Sequence, residues 1–309
     1  MSAATETALG ILDEGEDALH GTVLVGVDGS SAGDAAIRYA ADVCTRNDAE
    51  LWLAHVVTGY STLVPTAVEG LEEAGQAVLA QAMALATSLL DPSRVRGDLL
   101  HGQRQAALLE AAKGARLVVL GFQPHSSLER LVTGSTTTAL AAGARCPVAV
   151  VPDGWTGNDH HVVGVGVKTI ETAAPLLRTA LGIARKRGAT LRVLHTWHLS
   201  TTAYDALLLP DQLDTEGWSA DMRAALEESI APVLADYPDV KTELTVIERH
   251  PAVGLEVLAE GADLLVIARR ARLFPRGHLG GTARAMLREV PCPVLVVPPS
   301  ADAEPDPLV

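Results

Sequence analysis

Cys146-Pro147-Val148-Ala149-Val150-Val151-Pro152 returns as Cys292-Pro293-Val294-Leu295-Val296-Val297-Pro298, a shift of 146 positions (292 − 146). Upstream, Leu51-Trp52-Leu53-Ala54-His55 returns as Leu191-Arg192-Val193-Leu194-His195, a shift of 140 (191 − 51). Repeats of this length are larger than solenoid units and read as two homologous domains in one polypeptide. The copies are unequal. Val27-Asp28-Gly29-Ser30 in the first faces Val167-Lys168-Thr169-Ile170 in the second.

Around these anchors the first copy alternates strand and helix signals. Thr22–Val27 is a short β-branched run, and Ser31-Ala32-Gly33-Asp34 has the pattern of a capping box opening a helix. The run Leu51–Val57 precedes a long amphipathic stretch from about Pro65 to Leu90. A strand near Val95–Leu100 leads into a helix ending at Gly114. Leu117–Leu120 is a fourth strand, Ser135–Ala144 a short helix and Val148–Val151 a fifth strand. The second copy repeats the course, with strands near 162–167, 191–196, 242–247, 264–268 and 294–297. Such alternation predicts parallel βαβ units with right-handed crossovers, hence an α/β fold of two doubly wound, Rossmann-like domains, each with a five-stranded parallel sheet. The predicted domains are 21–152 and 161–299, joined by a turn-rich linker at 153–160. Acidic tails at 1–20 and 300–309 are expected to be disordered.

Composition narrows the function. The 309 residues carry a formal charge of −14, which argues against a nucleic-acid partner, because phosphate backbones are gripped by Lys and Arg. Neither a signal-peptide core nor an apolar run of about 18 residues is evident, so no membrane span is expected. Aromatic residues make up 3% of the chain, so Ala, Val and Leu must fill the core. Three cysteines make no disulfide framework; Cys146 and Cys292, at matching strand starts, read as small buried hydrophobes in a reducing cytoplasm.

Ligands of doubly wound sheets sit at the carboxyl ends of the strands, beside the topological switch point. After the fourth strand come Gly121-Phe122-Gln123-Pro124, nine residues, and then Gly134-Ser135-Thr136 opening a helix. A helix N-terminus with free N–H groups and hydroxyls suits a phosphate, although a Ser-capped turn needs no ligand.

Taken together, Val-Gly-Val-Asp-Gly-Ser at 25–30, Leu53-Ala54-His55-Val56, the loop from Gly121 to Ser135 and both Cys-Pro-Val strands resemble the universal stress protein family, in the tandem-domain form common in actinobacteria. The resemblance covers nearly all of 21–152 and 161–299. It implies an adenine nucleotide, ATP or else ADP or AMP, in the first domain, with Mg accompanying the triphosphate. It places Asp28 at the ribose, with Val27 and Gly29 beside it among the nucleotide-binding residues, the Val56 backbone at the adenine, and Gly121 at the ribose and phosphate. Gly134, Ser135 and Thr136 would cradle the phosphates. It also implies antiparallel pairing of the fifth strands, giving an internal pseudo-dimer, with homo-oligomerisation open.

Two departures bear on that inference. Pro124 stands where the family's loop has its second Gly, and proline offers no N–H. In the second copy the loop reads Ala268-Arg269-Arg270-Ala271, nine residues, Gly281-Thr282, and Lys168 replaces the Asp. Lys168, Arg269, Arg270, Gly281 and Thr282 read either as an anion site of a different kind or as solvated charge around a decayed one. The leading function is therefore a cytoplasmic stress-response sensor or regulator that binds nucleotide and signals to a protein partner. The alternative is an interaction or scaffold module that keeps the fold without the ligand, and a slow ATPase ranks third.

Other signals weigh little. Gly29-Ser30-Ser31-Ala32-Gly33 fits the Gly-x-Ser-x-Gly nucleophile elbow, but it follows the first strand, lacks an oxyanion segment and has no counterpart in the second copy. Ser31 is better read as a helix cap. His55 and His195 recur at one strand end, which points to a shared structural role rather than to a metal. No intact P-loop or Gly-x-Gly-x-x-Gly occurs.

Overall fold

The computed structural model describes residues 21–59, 65–123, 135–157, 160–169, 173–198, 215–269, 279–289 and 291–299. Both terminal tails, Pro124, Gly134, Arg270 and residues 158–159 of the linker lie outside them.

The chain divides into two compact units, one of residues 1–158 and 269–309, the other of 159–268. In the first unit the strands are β1 (Thr22–Gly26), β2 (Glu50–Val57), β3 (Val95–His101), β4 (Leu117–Phe122) and β5 (Val148–Pro152). They lie parallel in the order β3-β2-β1-β4-β5. The helices are α1 (Ser31–Asn47), α2 (Pro65–Leu89), α3 (Arg104–Ala111) and α4 (Ser135–Gly143). The last strand of the chain, β10 (Val294–Val297), also belongs to this unit. It pairs antiparallel with β5 through Val294↔Val150, Leu295↔Ala149 and Val296↔Val148. The apolar edge that β5 would otherwise present is thereby covered.

The second unit holds β6 (Val162–Val167), β7 (Thr190–Trp197), β8 (Thr242–Glu248) and β9 (Leu264–Ala268), parallel in the order β8-β7-β6-β9. Helices α5 (Ala173–Arg187), α6 (Thr215–Ala235) and α7 (Pro251–Glu260) accompany it. Helix α8 (Gly281–Glu289) follows in the first unit.

The central strands β1, β4, β5, β6, β9 and β10 are continuous apolar runs, as strands covered on both faces by helices must be, whereas β3 and β8 carry polar residues and are only partly buried. Leu24, Leu51, Leu53, Leu191, Leu264 and Leu265 are almost wholly inaccessible. Among the described residues only Tyr39 and Tyr237 are buried aromatics, so the core is aliphatic as the composition requires. All three cysteines are buried, and none is in a disulfide. Burial pushes the Cys44 thiol up to about 12 and the Cys146 thiol up to about 11, as befits thiols that pack rather than react. Among the described residues no helix is long and apolar enough to cross a membrane.

Helix α1 starts differently from the sequence expectation. Ser30, not Ser31, is its N-cap: the Ser30 backbone is extended and its hydroxyl accepts from the Gly33 N–H at 3.1 Å. The capping box anchored on Ser31 does not form, because the residue three past the true cap is Gly33, which has no side chain to reach back. Ser31 is freed for a contact of another kind.

Candidate functional site

Strand order changes direction between β1 and β4, so the crevice beyond their carboxyl ends is the switch point of the first unit. Four segments converge there: the turn after β1, the end of β2, the end of β4 and the N-terminus of α1.

The turn is Val27-Asp28-Gly29-Ser30. Gly29 has φ +78°, a left-handed conformation that suits glycine. Val27 is buried, and its N–H donates to the Ala54 carbonyl at 3.0 Å. Its carbonyl lies 2.8 Å from His55 Nδ1. In the second unit the Val167 carbonyl and His195 Nδ1 repeat the contact at 3.0 Å. Both histidines thus brace the turn after the first strand of their copy, the shared structural role that their recurrence suggested.

Asp28 is exposed, and a relay of hydrogen bonds orients it. Gly33 N–H donates to Ser30 Oγ, and Ser30 Oγ donates to Asp28 Oδ1 at 2.6 Å. The Ser30 N–H reaches the same oxygen at 3.0 Å. Among the described residues Oδ2 has no hydrogen-bond partner, so one carboxylate oxygen is held and the other is open to an incoming donor. Lys168 occupies the equivalent position of the second copy and is also exposed, which reverses the charge there.

The ladder between β1 and β2 ends at Gly26↔Ala54, whereas β2 runs on to Val57. Val56 still pairs with Leu100 on β3, but it extends past the β1 ladder toward the crevice. The residue as a whole is buried, at 5% exposure.

Gly121 closes the floor. A β-carbon there would lie 2.1 Å from the Ala32 carbonyl oxygen and 2.8 Å from the Gly33 nitrogen. The end of β4 therefore rests directly on the first turn of α1, and backbone contact alone requires glycine. Its counterpart Ala268 is exposed at the end of β9, where a methyl group fits.

Sequence reasoning missed one cluster beside this floor. Ser31 Oγ donates to Asp153 Oδ2 at 3.0 Å, and Gln123 Nε2 donates to Ser31 Oγ at 3.0 Å and approaches Asp153 Oδ2 at 3.4 Å. The Asp153 N–H in turn donates to the Phe122 carbonyl. These bonds tie the start of the glycine loop to the segment after β5. Among the described residues the Ser31 hydroxyl is bonded to Asp153 and Gln123, and neither is the imidazole base that a nucleophilic serine uses. The only local signal was the placement of three polar residues at strand and helix ends flanking the switch point.

Of the remaining predicted residues, Ser135 opens α4, and Thr136 is half-buried in its first turn. Gly281 and Thr282 open α8. The Arg269 guanidinium is turned to main-chain carbonyls: Nη1 donates to Ala141 O at 3.1 Å and Ala144 O at 2.8 Å. Among the described residues no group of three or more His, Cys, Asp or Glu side chains is arranged to hold a metal ion.

Comparison with known proteins agrees with this architecture. The model of the universal stress protein family matches residues 20–152 and again 160–298. A universal stress protein of Mycolicibacterium smegmatis is 30% identical over 290 residues, 90% of this chain and 97% of the relative. One from Mycobacterium tuberculosis is 29% identical over 294 residues, 90% of this chain and 96% of the relative. Among solved structures, a universal stress protein from Archaeoglobus fulgidus superposes with a TM-score of 0.68 at 15% identity, over 92% of this chain and 98% of that one. That likeness speaks to the fold.

Proposed function

The chain belongs to the universal stress protein family, and we propose that its first copy binds an adenine nucleotide, ATP foremost, as a stress-response sensor or regulator. The observation that carries this reading is the Asp28 carboxylate, exposed at the switch point with Oδ1 held by Ser30 and Oδ2 open. Ribose hydroxyls are donors suited to such an acceptor. The Val56 backbone, past the end of the β1 ladder, would offer its peptide groups on that side to an adenine edge. The N-terminus of α4, carrying Ser135 and Thr136, offers the positive end of a helix dipole to phosphates, with Mg sharing the charge of a triphosphate. In the second copy Lys168 cannot accept a ribose hydroxyl, so one nucleotide per chain follows.

Native mass spectrometry of the purified protein tests this reading directly through retained nucleotide, and ATP titration measures the affinity. Asp28→Ala is expected to weaken ATP binding about tenfold or more, since hydrogen bonds to charged groups contribute roughly 1.5–3 kcal/mol. No retained nucleotide, together with an ATP affinity unchanged in Asp28→Ala, would sink the proposal. Pro124→Gly restores an N–H at the family's second loop glycine and is expected to tighten ATP binding by about ten- to hundredfold on the same scale.

A second reading, a protein-interaction module, draws on helix α7, where Val253 and Val257 lie one turn apart and are 44% and 56% exposed. The two readings are compatible if the nucleotide state of the first copy is what a signalling partner senses.

A further inference from the structure

We infer that Arg269, from the loop of the second copy, is a positioning residue for the phosphate-binding helix of the first. The inference rests on the nucleotide reading above.

Helix α4 has the sequence Ser-Thr-Thr-Thr-Ala-Leu-Ala-Ala-Gly. Three successive threonines and a terminal glycine are poor helix formers, and nine residues is below the length at which a helix persists alone. Its ends must be held by partners. At the C-terminal end, Ala141 lies in the last turn and Ala144 one residue beyond the helix, and their carbonyls are among those that an α-helix leaves without a partner. Arg269 Nη1 supplies both hydrogen bonds, at 3.1 and 2.8 Å. The Arg269 backbone is itself fixed, its N–H donating to the Val297 carbonyl at 2.7 Å. A half-buried guanidinium at this end also complements the negative pole of the helix dipole.

The opposite pole of the same helix is the proposed phosphate site. Nine residues span about 14 Å, so Arg269 acts from a helix length away without touching the ligand. In sequence it stands where the first copy has Phe122, in the stretch that would have been the second copy's own glycine loop. The residue that replaced a loop position in one copy thus holds the helix of the other.

The test uses the full chain with Arg269→Ala and Arg269→Lys. Hydrogen exchange of the amides in 138–145 should accelerate markedly in Arg269→Ala and partly recover in Arg269→Lys, which keeps a cation. Exchange in β1 and β2 should be unchanged, separating a local effect from general destabilisation. ATP affinity should fall about three- to tenfold in Arg269→Ala, while adenosine, which lacks phosphates, should bind within about twofold of the parent. Equal losses for ATP and adenosine, or unchanged exchange in α4, would overturn the assignment. If the parent chain binds neither ligand, the nucleotide reading falls, and exchange in α4 alone decides whether Arg269 holds the helix. Should Arg269→Ala not fold, Arg269→Lys carries the same comparison: unchanged exchange and unchanged ATP affinity would contradict the role.

Discussion

A β-carbon at Gly121 would sit 2.1 Å from the Ala32 carbonyl oxygen, well inside any contact that two heavy atoms tolerate. Backbone rather than a flexible side chain is in the way, so relief requires moving β4 or α1. Gly121→Ala is therefore expected to lower stability by about 1–3 kcal/mol, read as a lower urea midpoint with no ligand present. If the midpoint is unchanged, the close approach is not a constraint. At this scale the sequence was informative about residue type and less so about reason. Gly121 stood out from its position after β4, yet the neighbour that demands it lies in a helix some 90 residues earlier. Asp28 was likewise recognisable, but the relay through Ser30 and Gly33 that orients it depends on where α1 begins.

Individual elements follow from local rules wherever those rules meet no competition. The strands fall within a residue or two of their apolar runs, because a strand buried on both faces needs little more than continuous β-branched and aliphatic residues. The start of α1 shifted by one residue because Ser30 and Ser31 could each cap it, and the Asp28 turn favours Ser30. Buried thiols give the elements a pH signature. Cys44 in α1 and Cys146 before β5 hold their protons to about 12 and about 11, above the ordinary 9.0. Above pH 9 the unfolded chain releases thiol protons that the folded chain keeps, so the unfolded state binds fewer protons and stability falls as pH rises. Urea midpoints should be level in this respect below about pH 9 and decline from there to about pH 11. Replacing Cys44 and Cys146 with Ala should flatten that decline, and an undiminished slope in the double variant would assign it to other groups.

Across the whole molecule, the decisive pairing is β10 on β5. A chain cut after Pro152 keeps every parallel strand of the first unit but exposes Val148–Val151 as a bare apolar edge. Light scattering of residues 1–152 is expected to show a dimer or larger aggregates, and a monodisperse monomer would contradict the role given to β10. Duplication, strand alternation and the glycine loop were legible in the chain, because periodicity and turn chemistry act between near neighbours and need no knowledge of the rest. The contacts that assemble the candidate site were not. Ser31 and Asp153 are 122 positions apart, and Arg269 and Ala141 are 128 apart. Neither pair leaves a local mark, since a hydroxyl, a carboxylate or a guanidinium finds its partner only after packing has brought distant backbone within about 3 Å.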